Sequence, residues 1–130
     1  RDIFAKVCPD LDYDGIMGLL KDAVDVFGRG HVISNIIYGL GETDEDLEDA
    51  MEELCSIGVI PGLRALRVNS YNRDQMSAAI GEAVPISKER AIGLAEMQKR
   101  IMEKHGLTSL TSRTMCMECG CCDIVPFRDI

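Results

Sequence analysis

The sequence predicts an α/β fold in which parallel strands alternate with helices, a partial (β/α) barrel of the TIM type. Three observations carry that prediction. Helix and strand signals alternate with a repeat of roughly thirty residues, giving about three β/α units, about half of an eight-unit barrel. Val32, Ile33, Ile36 and Ile37 form a near-continuous aliphatic run, which suits a strand buried on both faces in a parallel sheet. That run breaks at Gly39-Leu40-Gly41 into Thr43-Asp44-Glu45-Asp46, a glycine turn feeding an acidic helix start. Ligands of parallel α/β folds bind at this edge, outside the carboxyl ends of the strands.

Taken in order, Arg1 to Asp10 shows no clear period and reads as the tail of a loop, with Cys8 a loop cysteine without function. Tyr13 to Phe27 is helical, with Ile16, Leu19, Leu20, Ala23, Val24 and Phe27 on one face. Asp12 or Asp14 can cap its start and Gly28 can end it. His31 to Tyr38 is a strand, and His31 is simply its first residue, since nothing beside it forms a dyad or a ligand pair. Asp44 to Ile57 is the clearest helix: Leu47, Ala50, Met51, Leu54 and Cys55 make its apolar face, and Thr43 with Asp46 forms a capping box. Cys55 is therefore a core residue, and Gly58 a stop.

Val59 to Leu63, containing Pro61-Gly62, reads as a turn, and Ala65 to Tyr71 as the next strand. Asn72 to Val84 has small residues and no period, as a loop does. Ser87 to His105 is a third helix, capped by Ser87, with Ala91, Leu94, Ala95, Ile101 and Met102 inward and Gly106 at its end. Leu107 to Thr111 completes the pattern as a short strand. Residues 1–112 are thus the barrel part and 113–130 a cysteine-rich tail.

In that tail Cys116, Cys119 and Cys122 fall at C-x2-C-x2-C, the spacing that lets three thiolates converge on a 4Fe–4S cluster. Pro126 stands near where a fourth ligand would follow, so one iron would be left for a substrate or another ligand. Cys121 is an extra thiol. Zinc is the rival occupant, and a reduced, unliganded tail is the third reading.

The chain has 130 residues, one domain or less, and a net charge of −8, which argues against nucleic acid and anionic membrane as partners. No apolar run reaches membrane-spanning length, and no signal peptide is expected. Six cysteines, most of them late in the chain, point to a reducing, cytoplasmic setting rather than a disulfide framework. The chain opens on Arg1-Asp2-Ile3-Phe4 without a methionine, as a piece of something longer would.

The stretch Asn35-Ile36-Ile37-Tyr38-Gly39-Leu40-Gly41-Glu42-Thr43 resembles the fifth-strand motif of radical S-adenosylmethionine enzymes, and the Gly-Leu-Gly-Glu-Thr version of biotin synthase and its relatives in particular. Ile37, Gly39 and Glu42 match the pattern Gly-x-Ile-x-Gly-x-x-Glu, and Asn35 replaces its first glycine. Leu66-Arg67-Val68-Asn69 resembles the family's sixth strand, so the likeness covers about the first three quarters of the chain. It implies the C-terminal half of such an enzyme. Asn35, Ile37, Gly39, Leu40, Gly41, Glu42 and Asn69 would lie along S-adenosylmethionine, with Ile37 on its adenine and Glu42 and Asn69 as polar contacts.

In that family an upstream cluster reduces S-adenosylmethionine to methionine and a 5′-deoxyadenosyl radical, which takes hydrogen from a small-molecule substrate. The C-x3-C-x2-C motif of that cluster does not occur here, so the chain alone is expected to be inactive. Cys116, Cys119 and Cys122 would hold an auxiliary iron–sulfur cluster. No Pro-Gly-Thr-Pro-like segment is present, a departure that leaves the substrate unassigned. A half-barrel exposes strand edges, and the isolated chain is expected to pair them as a homodimer. The contrasting reading is a non-catalytic iron–sulfur or zinc-binding module on an α/β scaffold.

Overall fold

A computed structural model describes residues 1–81 and 85–130. In chain order it contains α1 (Asp2–Val7), α2 (Tyr13–Phe27), β1 (Ile33–Tyr38), α3 (Asp44–Ser56), β2 (Ile60–Ala65), α4 (Arg73–Ile80), α5 (Lys88–Lys104), a 3-10 turn at Ser109–Thr111 and α6 (Met115–Cys119). β1 and β2 pair in parallel, with Ile33 opposite Ile60 and Tyr38 opposite Ala65. Parallel strands cannot be joined by a tight turn, and α3 supplies the crossover. Among the described residues no helix is long and apolar enough to cross a membrane.

The expected helices α3 and α5 form for the expected reasons. Thr43 Oγ1 accepts from the Asp46 N–H at 3.1 Å, and the Asp46 carboxylate accepts from the Thr43 N–H at 2.8 Å, a complete capping box. Ser87 Oγ accepts from the Arg90 N–H at 3.1 Å at the start of α5. Leu47, Met51 and Cys55 of α3 and Leu94, Ile101 and Met102 of α5 meet Ile60 and Leu63 of β2 in the main core. Burial pushes the Cys55 thiol up to about 12, so it is a neutral core group. Met117 and Val125 are buried in the same core, so the C-terminal segment packs against it.

Several expectations are corrected. The second strand is Ile60–Ala65, where a turn was expected, and residues 66–71 lie beyond it. Ile60 and Leu66 donate backbone N–H groups to Val32, just before β1, and to Tyr38 of β1, so the alternate position Pro61 turns its nitrogen away from β1 and no ladder bond is lost. The strand expected at Leu107–Thr111 is a 3-10 turn; Thr108 Oγ1 accepts from the Leu110 N–H, and Ser109 Oγ donates to the Pro126 carbonyl. The described residues therefore hold one parallel pair rather than three β/α units.

Asp2–Val7 and Arg73–Ile80 are helical where loops were expected; the last three residues of the second expected loop lie outside the described residues. Finally, α2 turns Met17, Leu20 and Val24 inward, while Leu19 and Phe27 are exposed. Asp12 caps it, accepting from the Gly15 N–H at 3.0 Å.

Candidate functional site

Bonds from Ile60 and Leu66 to Val32 and Tyr38 fix which backbone groups of β1 face β2. Those of Ile33, Asn35 and Ile37 point the other way, to an edge with no strand partner among the described residues. Along this edge runs a groove of about 790 Å³, closed by α1, the start of α2 and α3. Asn35, Ile37 and Glu42 line it together, with Phe4, Tyr13 and Asp49 among the residues facing them. Its size is that of a small-molecule or cofactor site.

Ile37 is 49 % exposed, an uncovered aliphatic one residue before the strand ends. Asn35 lies two positions earlier, on the same side of the pleat. Its Oδ1 lies over Gly62, where a Cβ would come within 2.6 Å of it. The opposite wall is held by Tyr13, whose hydroxyl donates to Glu53 at 2.6 Å, while Arg1 stacks 4.5 Å over the Tyr13 ring and pairs with Glu53. Burial, then the bond to Glu53, pushes the Tyr13 phenol up to about 12, so it stays a donor at neutral pH.

The Gly39–Gly41 turn is closed by Glu42. Its carboxylate accepts from the Gly39 N–H and the Leu40 N–H, both at 2.7 Å, and Arg90 Nη2 donates to it at 3.1 Å. The Glu42 side chain is 6 % exposed, so these partners take up most of its accepting capacity. Both glycines have positive φ, 98° and 96°, which the turn requires. They differ in what surrounds them: a Cβ on Gly39 would meet Ile86 at 2.8 Å, whereas one on Gly41 would meet nothing within 4 Å. Only Gly41 therefore presents open backbone.

Asn69 lies past β2. Its Oδ1 accepts from the Tyr71 N–H at 2.8 Å, and its own N–H donates to Asn72, so it shapes the loop leading into α4. It does not line the groove with Asn35, Ile37 and Glu42.

The C-terminal cysteines form no disulfide. Cys116 is half-buried at the start of α6; Cys119, Cys121 and Cys122 are exposed around the left-handed Gly120. Cys121 Sγ donates to the Cys119 carbonyl at 3.4 Å. Hydrogen bonding between these neighbours lowers the Cys119 thiol and raises that of Cys121. Arg64 reaches the same segment, pairing with Asp123 at 2.7 Å. Among the described residues no three His, Cys, Asp or Glu side chains are grouped to hold a metal ion. The thiol set has the right chemistry for iron–sulfur or zinc.

The sequence reading missed Arg90 and Tyr13. An arginine three residues after a capping serine is an ordinary first-turn residue, and only the fold brings it to Glu42.

No family model matches the chain, and no solved structure matches it. A stretch of 52 residues, 40 % of the chain, is 36 % identical to a lipoyl synthase from Pelobacter propionicus and covers 17 % of that protein, far less than two thirds of its length.

Proposed function

We propose that the chain is part of a radical S-adenosylmethionine enzyme of the biotin synthase and lipoyl synthase kind, and that it helps to bind S-adenosylmethionine. The observation that carries this reading is the groove of about 790 Å³ along β1, which Asn35, Ile37 and Glu42 line together. The likeness to a lipoyl synthase, itself a radical S-adenosylmethionine enzyme related to biotin synthase, supports it.

In this reading S-adenosylmethionine, once reduced by an iron–sulfur cluster held outside these residues, supplies the radical chemistry. The chain's own residues bind and orient. Ile37 offers an uncovered aliphatic surface to a flat ring, and Asn35 a hydrogen-bonding amide beside it. Gly41 lets a ligand approach the main chain. Glu42 acts by fixing the turn that presents Gly41, while the Gly39 and Leu40 N–H groups are held by its own carboxylate. Asp46 and Asp49, also on the groove, give it the negative charge that a sulfonium favours. Asn69 would contribute through the loop before α4.

An auxiliary iron–sulfur cluster or zinc would be held by Cys116, Cys119 and Cys122, with Cys121 in reserve, once the segment around α6 brings these thiols together. The fragment is expected to be inactive alone, and its substrate is a small molecule whose identity the groove does not specify.

The test is Ile37→Lys in the full-length protein. The site is already half exposed, so the melting temperature should hold, while equilibrium dialysis should show S-adenosylmethionine affinity falling by about tenfold or more. Unchanged affinity would place the ligand elsewhere and remove the reading's main support.

A further inference from the structure

A second recess, of about 100 Å³, opens between β1, β2, α5 and the C-terminal segment. Tyr38, Leu63, Ala91, Ala95, Gln98 and Asp123 line it, and none of them lines the larger groove. The volume is worth about three water molecules, which limits an occupant to a few heavy atoms.

Its polar groups are mismatched in one direction. Gln98 is 1 % exposed, and its Nε2 donates to the Pro61 carbonyl at 2.5 Å. A carbonyl only accepts, so the amide nitrogen must face Pro61 and the oxygen must face away. That oxygen is buried and has no partner among the described residues. Asp123 receives Arg64 on Oδ2, which leaves Oδ1 for another donor. The ring of Tyr38 is buried, and its hydroxyl can accept as well as donate. Burial, then the nearby Asp123, raises the Tyr38 phenol, so it is neutral at physiological pH. The remaining lining side chains, Leu63, Ala91, Ala95 and Ile124, are apolar.

Such a site needs donors and supplies acceptors. A primary ammonium carries three N–H donors and no acceptor, and a carboxylate beside it offsets its charge. We propose that this recess binds a short primary alkylammonium, its head on Gln98 Oε1, Asp123 and the Tyr38 hydroxyl and its alkyl tail on Leu63, Ala91 and Ala95. Arg64 shares the Asp123 carboxylate, so the affinity is weak, roughly millimolar. The proposal does not rest on S-adenosylmethionine binding.

The experiment is an NMR titration of this chain with n-propylammonium chloride, with propan-1-ol and trimethylpropylammonium as controls. Expected are saturable shifts of the Gln98 side-chain amide and the Ala91 and Ala95 methyls, with both controls about tenfold weaker or worse. Gln98→Met and Ala91→Leu should each weaken binding by about tenfold. Ala91→Leu removes no hydrogen bond and fills the recess, so it decides the matter if Gln98→Met fails to fold. Equal binding of propan-1-ol, binding that survives the variants that fold, or no saturable shift because the recess holds only water would each overturn the proposal.

Discussion

A glutamate that receives two backbone N–H groups and an arginine is part of the fold. In Glu42→Gln the new amide keeps one accepting oxygen and turns an NH₂ toward a donor that needs an acceptor. For a side chain this buried the loss should be about 1.5–3 kcal/mol, a fall in melting temperature of roughly 5 °C or more. Thermal unfolding followed by circular dichroism checks it; an unchanged melt would mean that the turn stands without the carboxylate. Glycine, glycine and an acid after an aliphatic run made the strand end legible from the sequence. The direction of the carboxylate was not legible, because its charged partner lies 48 residues away in the chain. Gly39 and Gly41 look equivalent on paper for the same reason: Ile86, which crowds one and spares the other, belongs to a distant segment.

At the scale of elements, α3 is tied at both ends by its own carboxylates. The Thr43 N–H and hydroxyl hold Asp46 below the usual carboxylate range, and His105, with Lys104, does the same for Glu52. A group whose folded pKa is depressed contributes stability above its unfolded value, about 4, and loses it as pH falls through the folded value. The urea midpoint should therefore drop from about pH 5 to about pH 3, and Asp46→Asn should flatten part of that drop while lowering the plateau. An identical slope in the variant would show that Asp46 does not titrate with folding. The elements that were legible, α3 and α5, have long periods and local caps. The ones that were not depend on context: β2 hides behind a proline whose nitrogen happens to face outward, and α1 and α4 are short helices with no buried residue to give them a period.

For the whole molecule, the edge of β1 that has no strand partner among the described residues and the exposed Leu19, Val26 and Phe27 of α2 are surfaces open to association. We propose that the isolated chain self-associates through them, as a dimer or a larger edge-paired species, with the net charge of −8 limiting how far this goes at low salt. Light scattering across a concentration series should show the mass rising, and rising sooner at high salt; a strict monomer throughout would refute it. The alternation of strand and helix in the sequence implies a parallel sheet, as β1 and β2 form. How many strands it held was not legible, since Leu107 to Thr111 is apolar enough for a strand and is folded into a turn by Thr108 and Ser109. Arg90 fastens this assembly at a point that has a consequence in time. It reaches from the first turn of α5 to the carboxylate and carbonyl of Glu42 and to Asp44, so the glycine turn and the helix start are latched to each other. The Gly39 and Leu40 amides can trade hydrogen for deuterium only when the carboxylate lets go, and letting go frees the start of α5. In heavy water these amides and that of Arg90 should exchange at one shared rate, as a single opening rather than as separate fraying of a loop and a helix end.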